Sequence, residues 1–140
     1  MPLYMCVAPG GSIPAAAKQA ISRSITRIHC EVTNAPPMFV HTLFFDQEQV
    51  SSLGPLWKDI GPGCPYQVFG SIRSGRTDDQ KERLVSGIRG SVAEVLGVGV
   101  EQVAAATGDT EAKWTMEGGH MIAEPGEEEA WTMPDWMRKK

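Results

Sequence analysis

YQVFGSIRSGRTDDQKERLVSGIRGSVAEVLGVGVEQVAAAT, residues Tyr66–Thr107, is the stretch that decides the fold. Tyr66 to Ile72 mixes aromatic and β-branched residues and reads as a strand. Thr77-Asp78-Asp79-Gln80 has the spacing of a capping box, in which a threonine side chain accepts from the third helical N–H and a glutamine reaches back. Leu84, Ile88, Val92 and Val95 then recur at helical spacing and form one apolar face. Gly97-Val98-Gly99 ends that helix, and Val100 to Thr107 returns as a strand.

The same order stands earlier in the chain. Leu3 to Ala8 is a short apolar run, opened by Pro2 and closed by Pro9-Gly10-Gly11, which predicts a strand and a turn. Ser12 and Pro14 mark a helix start, Ile21, Ile25, Ile28 and Val32 follow on one face, and the helix is predicted to run to about Cys30. After Asn34-Ala35-Pro36-Pro37, Met38 to Phe45 reads as another strand, ending at Asp46-Gln47. Residues 48–65, with Gly54-Pro55 and Gly61-Pro62-Gly63 around Leu56-Trp57, read as a linker.

The chain is therefore expected to be an α+β protein of tandem β-α-β units, β-α-β-β-α-β, with a four-stranded sheet and two helices on one face. The expected organisation is a single domain: a first unit over 1–47, the linker at 48–65, a second unit over 66–117 and a C-terminal arm at 118–140. The arm, with Pro125, three consecutive glutamates and a final Arg138-Lys139-Lys140, shows no period.

Composition narrows the function classes. A hydrophobic fraction of 41% and a charged fraction of 21% are ordinary for a globular chain, and no run is long enough to span a bilayer. The net charge of −4 argues against a nucleic-acid partner, and neither a membrane partner nor a secretory leader is read; the expected location is cytoplasmic. Cys6, Cys30 and Cys64 are odd in number with no C-x-x-C pair, so they are expected as reduced, buried thiols. Without a glycine-rich phosphate loop or paired histidines, no cofactor and no metal is expected.

Five residues can carry chemistry. Removal of Met1 would turn Pro2 into a free secondary amine; an ordinary α-amino group titrates at about 7.7–8.0, so Pro2 can act as proton donor or acceptor according to its surroundings. Arg73 and Arg76 flank the turn before the second helix, where two guanidinium forks and the helix N-terminus suit a carboxylate. His29 sits one turn beyond Ile25, at the edge of the apolar face, within reach of a substrate over the sheet. Glu117, between Met116 and Gly118-Gly119, is a carboxylate in a locally uncharged stretch suited to proton transfer, while His41 and His120 read as structural.

Together Pro2, His29, the Arg73-Ser74-Gly75-Arg76 turn and Glu117 resemble the cis-3-chloroacrylic acid dehalogenase group of the tautomerase superfamily. Supporting pieces are Pro2-Leu3-Tyr4-Met5, the Ile25-Thr26 to His29 end of the first helix, Glu117-Gly118-Gly119 and Glu124-Pro125-Gly126. The resemblance covers almost the whole chain. It implies a homotrimer with the amino-terminal proline at the base of a pocket, Arg73, Arg76 and His29 holding a substrate carboxylate, and Glu117 activating water. Thr33 matches a position near the pocket. Ala106 stands where the family pattern has a tyrosine that helps orient water, and alanine has no side-chain donor or acceptor.

The expected activity is accordingly a cofactor-independent, Pro2-dependent tautomerase acting on a small 2-oxo or enol carboxylate. Two alternatives stand beside it. One is a cis-3-haloacrylate dehalogenase or hydratase, with Pro2 as acid and Glu117 on water; the other is a non-catalytic trimeric binding protein.

Overall fold

The computed structural model describes residues 2–47, 64–117 and 119–127. Strand β1 (Leu3–Pro9), helix α1 (Ala15–Thr33) and strand β2 (His41–Gln47) form the first unit; strand β3 (Tyr66–Arg73), helix α2 (Asp78–Leu96) and strand β4 (Val103–Thr110) form the second. The sheet order is β2-β1-β3-β4. Each unit contributes a parallel pair joined by its helix, β1 with β2 and β3 with β4, and the two meet where β1 and β3 run antiparallel. The α+β reading and the tandem order thus hold.

Alternation along the strands sorts the two faces. Tyr4, Cys6 and Ala8 of β1, with Val68 and Ile72 of β3, are buried against Ile21, Ile25 and Ile28 of α1 and Leu84, Ile88 and Val92 of α2. Both helices lie on that face. The opposite face carries a row in direct register, Leu43 of β2, Met5 of β1, Phe69 of β3 and Ala106 of β4, in which Leu43, Phe69 and Ala106 are exposed.

Several boundaries move from their predicted places for local reasons. Helix α1 continues one turn past Cys30 because Asn34 adopts a left-handed φ of 56° and returns its N–H to the Cys30 carbonyl, closing the helix after Thr33. Pro37–Phe39 forms a 3-10 turn, so β2 begins at His41 rather than Met38. A second 3-10 turn at Val100–Gln102 delays β4 to Val103. The capping box at Thr77 forms as predicted, with Thr77 accepting from the Gln80 N–H at 3.1 Å and Gln80 accepting from the Thr77 N–H at 2.9 Å. The segment after β4 holds a small hairpin, β5 (Met116–Glu117) with β6 (His120–Met121), where no regular structure was predicted. The linker residues 48–63 and the last residues 128–140 lie outside the described residues. Of the three thiols only Cys6 is buried; Cys30 and Cys64 are half-exposed, because Cys30 sits on the outer side of the last turns of α1 and Cys64 precedes β3.

Candidate active site

Pro2 is buried, one pleat before Tyr4 on the helix-covered face, and its carbonyl accepts from the His41 N–H at 3.0 Å. Tyr4 is 1% exposed and lies opposite Gly70 in the β1–β3 register. A Cβ at position 70 would stand 2.8 Å from Tyr4 Cδ1 and closer still to Cε1, so only glycine leaves room for the ring.

That ring reaches helix α1. Tyr4 Oη lies 2.8 Å from His29 Nδ1, and the two rings meet edge to face with centroids 5.8 Å apart. His29, expected at the edge of the apolar face, is instead 1% exposed, and its Nε2 is buried with no hydrogen-bond partner among the described residues. Burial, followed by the charges of Arg76, Arg73 and the amino terminus, lowers the His29 pKa from 6.5 to about 4. The ring is neutral at physiological pH. Burial likewise raises the Tyr4 phenol well above its ordinary range, against the opposing charge of Arg76, so Tyr4 keeps its proton.

The two arginines come to this place from the end of β3. Arg73 is 5% exposed and donates through Nη1 to the Ala123 carbonyl, which fastens the segment after β6 to the turn. Arg76 Nη1 donates to the Thr33 carbonyl at 3.0 Å. Thr33, buried in the last turn of α1, donates its hydroxyl to the His29 carbonyl at 2.7 Å. A cleft of about 440 Å³ opens beside them, lined by Thr33, Asn34, Gly75, Arg76, Gln80 and Pro125.

Four of the sequence-predicted site residues, His29, Thr33, Arg73 and Arg76, are thus tied together by hydrogen bonds or by the electrostatic field on one imidazole. Pro2 adjoins them through its strand neighbour Tyr4. Glu117 is half-buried on the β5–β6 hairpin, whose outgoing strand leads to the Ala123 anchor of Arg73. Ala106 lies on the other face of the sheet, away from His29. Tyr4 was not singled out as a site residue; its signal was its place two residues after Pro2, on the same face of the strand. Among the described residues no cluster of His, Cys, Asp or Glu could hold a metal ion, and no helix is long and apolar enough to cross a membrane.

No protein-family model matches the chain, and no curated protein does. Solved structures do. N1, a member of the cis-3-chloroacrylic acid dehalogenase family, superposes with a TM-score of 0.82 at 28% identity, over 97% of this chain and 95% of its own. The native protein Ps01740 gives 0.72 at 30% identity, over 82% of this chain and 99% of its own. A fused 4-OT solved as an asymmetric trimer gives 0.72 at 20% identity, over 85% of this chain and 94% of its own, a likeness of fold. With the tandem topology and the cluster around His29 in place, the chain belongs to the tautomerase superfamily, in its cis-3-chloroacrylic acid dehalogenase-like group.

Proposed function

We propose that this protein is a cofactor-independent tautomerase that uses the secondary amine of Pro2, freed by removal of Met1, on a small 2-oxo or enol carboxylate. The observation that carries this reading is the buried His29 ring, set in the field of Arg73 and Arg76, with an Nε2 that has no hydrogen-bond partner among the described residues and an Nδ1 bonded to Tyr4, two residues along the strand from Pro2. Such a cluster suits an anion. Arg73, Arg76 and His29 hold the substrate carboxylate, and of the site residues Arg76 and Thr33 also line the adjoining cleft. Neutral Pro2 takes the enol O–H proton; the electron pair forms the C2 carbonyl, and C3 receives a proton from the prolinium. The guanidinium charges stabilise the enolate charge that develops within the reaction. The test is labelling with an acetylenic 2-oxo acid: one adduct mapped to Pro2, with loss of turnover, is expected, and an adduct elsewhere or none overturns the reading.

A second reading, cis-3-haloacrylate dehalogenation or hydration, is favoured by the likeness to N1 and by a half-buried Glu117 on the hairpin tethered to Arg73. Here protonated Pro2 is the acid and Glu117 activates water. Against it stands Ala106, a methyl group in the row with Phe69 where the family pattern has a hydroxyl. Chloride release from cis-3-chloroacrylate separates the two. Retention of Met1 would block the amine and favour a non-catalytic binding role, and intact mass reads it directly.

The assembly belongs to the same proposal. Leu43, Phe45 and Phe69 leave more than 40% of their surfaces exposed on the helix-free face of the sheet, an apolar area that a homotrimer would cover, and the fused 4-OT neighbour is a trimer. A sedimentation mass of three chains is expected.

A further inference from the structure

We propose that Tyr4 is a positioning residue that sets the tautomer of His29: its phenol donates to Nδ1, so the single proton of the neutral ring is carried on Nε2 and offered to the bound carboxylate. This deepens the reading of His29 as part of the carboxylate clamp and rests on it.

The argument is a count of protons. Tyr4 Oη has one hydrogen-bond partner among the described residues, His29 Nδ1, and both side chains are 1% exposed. If Nδ1 carried the proton it would donate to Oη, leaving the buried phenol O–H with no acceptor and turning the bare Nε2 lone pair toward an arriving anion. Two buried groups would then be unsatisfied even with substrate bound. If the phenol donates to Nδ1, its proton is used, and the one group left over is an Nε2–H donor. A carboxylate oxygen satisfies that donor. The doubly protonated ring is disfavoured by burial and by the charges of Arg76 and Arg73. The positive charge of the clamp therefore stays on the arginines, while histidine supplies direction.

The fold holds this relay in place from the far side. Tyr4 faces Gly70 across the central strand pair, and the absence of a Cβ there lets the ring lie against β3 while its hydroxyl meets α1. Gly70, Tyr4 and His29 form one line across the sheet and into the helix.

Nitrogen NMR of the ligand-free protein, with His29 assigned by His29→Gln, tests the assignment. At pH 7 the proton is expected on Nε2 with Nδ1 bare; a proton on Nδ1 overturns the proposal. Tyr4→Phe keeps the ring and removes the donor. It is expected to mix the tautomers and raise KM for an enol carboxylate about tenfold with kcat within about twofold, roughly the effect of one hydrogen bond. In a His29→Gln background, where no imidazole needs orienting, Tyr4→Phe should add less than about twofold; an equal loss in both backgrounds overturns the positioning role. If Tyr4→Phe does not fold, the wild-type spectrum still decides. A Pro2→Ala variant with full turnover beside an Nε2-protonated His29 would overturn the Pro2 reading and leave the tautomer assignment standing.

Discussion

Arg76 Nη1 donates to the backbone carbonyl of Thr33 at 3.0 Å, joining the turn of the second β-α-β unit to the end of the first unit's helix. The carbonyls at a helix C-terminus lack intrahelical donors and carry the negative end of the dipole, so a guanidinium is well placed there. Gln80 Nε2 adds a second tie, to the Val32 carbonyl at 3.1 Å. The position of Arg76 is thus set by the backbone of the other unit.

Arg76→Ala should raise KM for an enol carboxylate by about 10- to 100-fold, the range for losing a hydrogen bond to a charged group. Arg76→Lys keeps the charge but not the fork, and should fall between the variant and wild type. Steady-state kinetics checks both, and unchanged KM in Arg76→Ala removes it from the clamp.

Pro2→Ala retains an amine while changing its basicity and losing the ring. Its kcat/KM for phenylenolpyruvate should drop about 10²-fold or more, the scale of a positioned acid–base group, with far-UV circular dichroism unchanged. Full activity in this variant would rule out the proline mechanism.

The depressed His29 pKa makes stability depend on pH. Above pH 6.5 the ring is neutral both folded and unfolded. Between 6.5 and about 4 the unfolded chain binds a proton that the folded chain refuses, so stability falls as pH falls, by about 3 kcal/mol in all. Denaturant titrations across this window should show that part of the slope in wild type and not in His29→Gln.

Gly70→Ala forces a methyl group into the Tyr4 ring. Destabilisation of about 1–3 kcal/mol is expected from overpacking, with a rise in KM as Tyr4 leaves His29. Melting curves and kinetics on the same preparation test the two effects together.

Ala106→Tyr restores the hydroxyl of the family pattern. Because position 106 faces away from its own His29, any gain in chloride release from cis-3-chloroacrylate should appear only in the assembled oligomer. Release that persists in a monomeric form would show that the hydroxyl reaches the site by another route.

The period of the apolar residues determined much of this protein by itself. Ile21, Ile25 and Ile28, and Leu84, Ile88 and Val92, announced two helices, and Thr77 with Gln80 announced where the second begins, because these signals are local and repeat within a turn. The shift of β2 and β4 by three residues was not legible, since the 3-10 turns at Pro37–Phe39 and Val100–Gln102 compete with strand through short backbone hydrogen bonds, within runs whose apolar residues read as strand. His29, Arg73 and Arg76 were nameable as types suited to an anion. That they act on one another, that Tyr4 lies 2.8 Å from Nδ1 and that Gly70 makes room for it depend on strand register and on residues 25 to 66 positions apart, which only the tertiary structure brings together.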